Sequence, residues 1–394
     1  MEQFLRQLQT IPEAAELIRR VEEGGCPAAV SGLQPVQRAC VGAAVAAACG
    51  RPAVFLCGDE REVQVLSADL ETLTGRRPVT LLGREWQFRP GAVGSRDWER
   101  SRLAALYALA QGDAPVVVAT ADGLMARTLP PETLRSLAIT LEVGGQAELG
   151  ALAEQLLSAG YTRCEQVEGV GQFALRGGIL DVYSPACENP LRAEFFGDEL
   201  DTMGAFDPGT QRRTRNVSSA RILPAAEVLP HCAPGGLPGL ADQLTALAEK
   251  LAKKQKTEAI VQTLREDAER LRSGAAPGAA DRYLAAIYPT VTAGVHYLPP
   301  DAVVFLSESG RVDERVKNTV LQQKQDVEAL LSAGVLAGEY AHLTLTAEEL
   351  YAALEDFPVI LEDSLPTSRH PLRPRGLLTM NAKQLSSYGG SLET

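Results

Sequence analysis

Between a short apolar run, Ala28-Ala29-Val30, and an alanine-rich run reaching Ala48, the chain reads Ser31-Gly32-Leu33-Gln34-Pro35-Val36-Gln37-Arg38. Strand, tight turn and helix in that order is where a phosphate-binding loop belongs. Such a loop needs glycines so that backbone N–H groups can approach phosphate, a lysine for the β/γ-phosphates, and a Ser or Thr hydroxyl for magnesium. Here the second glycine, the ammonium and the hydroxyl are missing, and Pro35 removes an amide that would have donated. The first lysine of the sequence is Lys250, so none in the first third can substitute. Arg38 brings positive charge, but a planar fork does not replace a compact ammonium at such a site.

The complementary half of a nucleotide site is a carboxylate that holds magnesium at the end of a buried strand. The apolar run Val303-Val304-Phe305-Leu306 is followed by Ser307-Glu308-Ser309-Gly310, and Glu308 alone reads as a remnant of the fold rather than a base. Other chemistries are no better supplied. His231, His296, His342 and His370 show no metal-ligand spacing, Ser309-Gly310 lacks a nucleophile-elbow context, and Gly169-Val170-Gly171 belongs to no dinucleotide fingerprint. No cofactor is expected.

The elements that would carry these residues follow from periodicity. Apolar positions at helical spacing run from Gln3 to Val21; buried strands are expected at Ala28–Val30, Ala53–Cys57, Pro78–Leu82, Val116–Ala119, Val303–Leu306, near Leu343 and around Pro358–Leu361. Helices are expected from Pro35, over Glu60–Leu73, Glu99–Ala110, Glu148–Ala159, Leu240–Leu271, Arg311–Leu331 and Ala347–Leu354. Strands alternating with helices predict an open, mostly parallel α/β sheet.

One stretch differs. From Phe173 to Pro208, apolar-polar alternation is broken at Gly177-Gly178, Pro185–Pro190 and Gly197-Asp198, the punctuation of an antiparallel meander. Period two puts Phe173, Leu175, Leu180, Val182, Leu191, Ala193 and Phe195 inside, and Ala174, Arg176, Asp181, Tyr183, Arg192 and Glu194 outside. An outward arginine and tyrosine are suited to anchor a partner, since a fork and a ring give directional bonds and area at small entropic cost. The other reading of the same residues is a solvated face on which Arg176 pairs with Asp181 or Glu194 across strands.

Composition bounds the classes. A chain of 394 residues suggests two to three domains, and 45% hydrophobic with 22% charged residues suits a globular protein. A net charge of -12 argues against nucleic acid as the main partner. No apolar run is long enough for a membrane span and no signal segment opens the chain, so a cytoplasmic protein without membrane contact is expected. Seven cysteines in no Cys-x-x-Cys pair read as reduced, mostly buried thiols, with neither zinc nor a disulfide framework.

Four blocks in fixed order, Arg176-Gly-Gly-Ile-Leu-Asp-Val-Tyr183, Arg192-Ala-Glu-Phe-Phe-Gly-Asp-Glu-Leu-Asp201, Phe206-Asp-Pro with Gln211-Arg212, and Ile222-Leu-Pro-Ala-Ala-Glu227, resemble the UvrB-homology module. That module occurs in the excision-repair protein UvrB and in the N-terminal part of transcription-repair coupling factor (Mfd); weaker similarity runs from about Gly32 to near the end. The resemblance implies degenerate RecA/helicase-like parallel sheet domains without a P-loop plus a small α+β domain with an antiparallel sheet. It divides the chain into a UvrB-like domain 1a over 1–130, a UvrA-binding α+β domain 2 over 131–220, a UvrB-like domain 1b over 221–380, and the start of a linker to further domains over 381–394. Where UvrB-like helicases carry Asp-Glu-Ser-His, this chain has Ser307 in place of the metal-binding aspartate and Gly310 in place of the histidine. Gly32, Gln34, Pro35, Ser307 and Glu308 then mark a nucleotide site emptied of function.

The same resemblance implies binding of UvrA through arginines and an aromatic. Carried over, these fall on Arg163, Arg176 and Tyr183, while a further UvrB arginine aligns with Ala174. It also implies masking of that surface by C-terminal domains of the full-length protein, which as a whole is an ATP-dependent DNA translocase. The loop from Trp86 to Leu103 is too short and too poor in tyrosine for UvrB's aromatic DNA-engaging hairpin, so DNA binding by this segment is not expected. The leading expectation is a non-catalytic adaptor that recruits excision repair to stalled RNA polymerase; the alternative is a fragment of a UvrB-type ATP-dependent helicase, and a third is a small-molecule α/β enzyme. Arg212, Arg213 and Arg215 are candidates for a second contact.

Overall fold

The structure is a computed structural model, describing residues 1–89 and 97–380. Residues 381–394, expected as the start of a linker, and residues 90–96 of the Trp86–Leu103 loop lie outside the described residues. In chain order the strands are β1 (Ala28–Ser31), β2 (Ala53–Cys57), β3 (Val79–Leu81), β4 (Val116–Thr120), β5 (Ile139–Glu142), β6 (Thr162–Arg163), β7 (Gln172–Arg176), β8 (Ile179–Val182), β9 (Leu191–Phe196), β10 (Glu199–Phe206), β11 (Arg213–Asn216), β12 (Ser219–Ile222), β13 (Val303–Ser307), β14 (Val359–Asp363) and β15 (Gly376–Thr379).

Seven of these form one parallel sheet, ordered β15-β1-β14-β13-β2-β4-β3. Its central strands are buried at every position, and apolar but for their carboxyl ends, because helices cover both faces. Val54, Leu56, Val117, Ala119, Val304 and Leu306 enter one core; Phe55, Cys57, Val116, Val118, Val303 and Phe305 enter the other. On that second face the helix Pro35–Cys49 approaches closely at Gly42, where a Cβ would stand 2.5 Å from the Phe55 ring, itself stacked on Phe305 at 4.8 Å. Strands from 1–130 and from 221–380 thus share one sheet, with β1 seated between β14 and β15.

The meander is larger than its sequence signature. A six-stranded sheet, ordered β11-β10-β9-β8-β7-β6, is antiparallel except for the β6–β7 pair, and the helix Leu149–Ser158 covers its inner face. Leu152, Leu156, Tyr161, Phe173, Leu180, Val182, Leu191, Ala193 and Met203 make that core. A two-stranded ladder of β5 and β12 closes the unit at its neck.

Several sequence expectations differ in detail. The single long helical region becomes a hairpin of Gly236–Leu251 and Glu258–Arg272, with Lys256 at φ 61° in the turn. Leu343 is buried, but its neighbourhood forms only an isolated bridge, Ala126 to Thr344, instead of a strand. Of the seven thiols, all free, only Cys26 and Cys57 are buried and the others are half-buried; burial pushes Cys26 up to about 11. Among the described residues no helix is long and apolar enough to cross a membrane.

Candidate functional site

At the carboxyl ends of β1 and β13, where the sequence suggested an emptied nucleotide site, the crevice is occupied by the chain's own side chains. Gly32 turns with φ 90°, and a Cβ there would fall 2.1 Å from the Met380 carbonyl oxygen, whose residue also donates from its N–H to the Ser31 carbonyl at 2.9 Å. Only glycine satisfies both the positive φ and that approach. Gln34 then precedes the helix, its N–H donating to the Gln37 side chain at 2.8 Å, and Pro35 takes the first helical position, where no amide is required.

Arg38, nearly buried one turn later, donates to Glu308 Oε1 at 2.5 Å, to Glu62 Oε1 at 3.1 Å and to Ser364 Oγ at 3.0 Å. Ser307 Oγ donates to Glu62 at 2.7 Å, and Ser364 also bonds Glu308. Glu308 reaches this network because the backbone passes from β13 into the helix Ser309–Ser332 through a left-handed conformation, φ 55°, at that residue. Two carboxylates therefore surround the guanidinium. Sequence spacing gave no hint of Glu62 or Ser364, which arrive from the helix Glu60–Thr74 and the end of β14.

Beside it, Ser309 N and Oγ both donate to Asp363 at 2.9 Å, capping that helix from a neighbouring strand. Glu362 is fully buried, with no hydrogen-bond partner for either oxygen among the described residues. Burial holds its carboxyl well above the usual carboxylate range, against the opposing pull of Arg38.

The meander supplies the second candidate. Cross-strand partners share a face, so Arg176, Ile179, Glu194 and Thr202 form one outer row, while Ala174, Asp181, Arg192 and Gly204 form the next. This face is less open than alternation alone suggested. Val167, Ala174 and Phe206 form a small apolar cluster on it, with Tyr183 packed alongside, and both Ala174 and Asp181 are buried.

Asp181 is the hub of the face. Its Oδ2 accepts from Arg176 Nη2 at 2.6 Å and from Arg192 Nη2 at 2.9 Å, and its Oδ1 accepts from Arg192 Nε at 2.7 Å. Arg176 also reaches the Glu165 carbonyl at 3.2 Å, yet half of its side chain stays exposed. Arg192 lies over the Phe206 ring at 4.7 Å, and Arg213 lies 3.5 Å from Glu194. Tyr183 donates from its hydroxyl to the Glu188 carbonyl at 2.8 Å, under Arg100. It sits opposite Gln172, four residues along β7 from Arg176, so the two are about 13 Å apart along the strand.

Arg163 stands apart from these two. It pairs in register with Phe173, whose ring is in the inner core, which places Arg163 on the helix side of the edge strand β6. There it is exposed, without an ion pair among the described residues, at the rim of a cleft of about 430 Å³ lined by Leu157, Gly160, Leu229 and His231. At the tips of the β7–β8 and β9–β10 hairpins, Ile179 is 36% and Phe196 87% exposed, respectively. The signal for Phe196 was in the sequence: of two adjacent phenylalanines in a strand, only one can face the core.

A buried knot joins the meander to the parallel sheet. Glu227, fully buried, lies 3.0 Å from Arg102 and 3.7 Å from Arg84 and accepts from Thr128 Oγ1 at 2.6 Å; Arg84 in turn meets Asp281 at 2.5 Å. The two guanidiniums hold the Glu227 carboxyl below its usual range despite burial.

The segment bounded by β5 and this knot, residues 139–227, matches the family model described as the UvrB interaction domain. That segment is therefore similar to UvrB interaction domains. Its surroundings are similar to transcription-repair-coupling factors: that of Bacillus subtilis is 26% identical over 380 residues, 95% of this chain and 32% of that protein. Those of Myxococcus xanthus and Escherichia coli are 33% identical over 253 residues and 32% over 178, covering 62% and 45% of this chain and 20% and 15% of theirs. The chain therefore spans a third or less of the length of these relatives and resembles their N-terminal UvrB-homology module. The matched segment contains Arg163, Arg176 and Tyr183 as well as Asp181 and Phe196, and it ends on Glu227.

Proposed function

We propose that this chain is a non-catalytic docking module that presents its UvrB interaction domain to UvrA, within a longer protein that couples stalled transcription to excision repair. The observation that carries the adaptor reading is the pairing of Arg38 with Glu308 and Glu62 in the crevice at the end of β1. Two carboxylates already neutralise the one guanidinium near that turn, so a triphosphate would have to displace bonded anions while gaining neither an ammonium nor a metal-binding aspartate. With that crevice closed on itself, the exposed groups of the six-stranded sheet are the remaining candidates for recognition.

On this reading Arg176 and Tyr183 contact UvrA from the outer face and Arg163 from the edge, so the partner wraps β6 and β7 instead of lying flat on one side. Further domains of the longer protein would mask this surface until it is needed. The test is capture of purified UvrA by the wild-type chain and by R163A/R176A. The wild type retains UvrA and the double variant loses it with nearly unchanged melting temperature, as surface truncations do; equal retention by both refutes the site.

A further inference from the structure

We infer that Asp181 is the positioning residue of the docking face: its buried carboxylate sets the Arg176 fork in the orientation in which it meets a partner. The inference rests on the docking reading above and adds how the site is held ready.

Asp181 lies in the middle of β8 with no exposed surface, on the side of the sheet that the alternating pattern assigns to solvent. A carboxylate is rarely buried unless its oxygens are satisfied. Here that is done by two arginines from the neighbouring strands on either side, Arg176 on β7 and Arg192 on β9, with three N–H donors at 2.6 to 2.9 Å. The two differ in what they leave outside. The side chain of Arg192 is 21% exposed and stacks on Phe206, so it is mainly a wall of the site. That of Arg176 is 50% exposed, with one end fixed by Asp181 and by the Glu165 carbonyl.

Two guanidiniums against one carboxylate leave this spot with a net positive charge, and the outward fork retains N–H groups that Asp181 and Glu165 do not use. Such a group is matched by a carboxylate on the partner. Because its rotamers are already restricted, binding loses less side-chain entropy than it would with a free surface arginine. Ile179 lies directly across from Arg176 in the same outer row, and Phe196 projects from the adjoining hairpin tip, so the fork is bordered by apolar surface that would exclude water around it.

The test is a double-mutant cycle on the full chain, reading affinity for purified UvrA for wild type, R176A, D181N and D181N/R176A, with melting curves as a folding check. Acting through Arg176, Asp181 gives a loss of about tenfold for R176A, about fivefold for D181N, and no more than the R176A loss for the double variant. Wild-type affinity in D181N with R176A weakened overturns the positioning role while leaving the docking reading intact, as does a double variant whose loss equals the product of the singles. Wild-type affinity in R176A overturns the inference, and the docking reading falls with it only if R163A/R176A also retains UvrA. Should D181N fail to fold, R176K decides: it keeps the charge but gives up the fork, and it must lose nearly as much as R176A. Full affinity of R176K overturns the inference.

Discussion

Arg38 Nη1 lies 2.5 Å from Glu308 Oε1, and this contact spans the parallel sheet from the helix after β1 to the turn after β13. It ties together the two halves of what would be a nucleotide crevice. Because Arg38 is nearly buried and also holds Glu62, R38A leaves two carboxylates facing one another without a counter-charge. A loss of about 3 kcal/mol is expected from breaking such a pair, read as a lower urea midpoint at unchanged slope. A loss below about 1 kcal/mol would place the contact among weak surface pairs.

The wild-type chain should give no signal with a fluorescent ATP analogue and magnesium at concentrations that saturate an ordinary ATPase. Removing both bonded anions, as E62Q/E308Q, frees Arg38 and should let inorganic phosphate raise the melting temperature in a concentration-dependent way. Triphosphate bound beside Ser31 to Arg38 in the wild type would sink the adaptor proposal.

Glu362 gives a pH signature. Its folded-state pKa is raised by burial, so the native state keeps a proton that the unfolded chain releases. The contribution to stability is complete below the ordinary glutamate range and is lost as pH rises toward the folded value. E362Q should match wild type near pH 4 and exceed it in melting temperature at neutral and higher pH. A constant difference between the two across that range would exclude the linkage.

Glu227 is the residue whose loss should do most harm outside the strands. With Arg102 3.0 Å away and no exposed surface, E227A takes the paired carboxylate from the buried Arg102 guanidinium while Arg84 keeps Asp281, at a cost of about 3 kcal/mol. Limited proteolysis should then cut near the junction between the UvrB interaction domain and the parallel sheet before the rest of the chain. An unchanged digestion pattern and melting curve would deny the knot its role.

How much of this was legible beforehand depended on how local the determinants are. β2, β4 and β13 were visible because a strand covered on both faces reads as a nearly continuous apolar run. β15 and β11 were not, since edge strands such as Arg213–Asn216 are polar or exposed and owe their pairing to a neighbour. Arg176 and Tyr183 were assigned to the correct face by alternation, whereas the side taken by Arg163 depends on the register across the turn from Cys164 to Gly171, which alternation does not carry through a loop. The partners of Arg38 were hidden for a similar reason: Glu62, Glu308 and Ser364 come from three different elements.

The place of β1 between β14 and β15 has a consequence for biosynthesis. A chain emerging from the ribosome makes Ala28–Ser31 first and Val359–Thr379 more than 300 residues later, so that strand waits with both edges unpaired until then. The six-stranded sheet draws all its strands from residues 162–216, well before β13 to β15 are made. The six-stranded sheet can therefore be complete while the parallel sheet beside it is still half-made, in want of its last two strands.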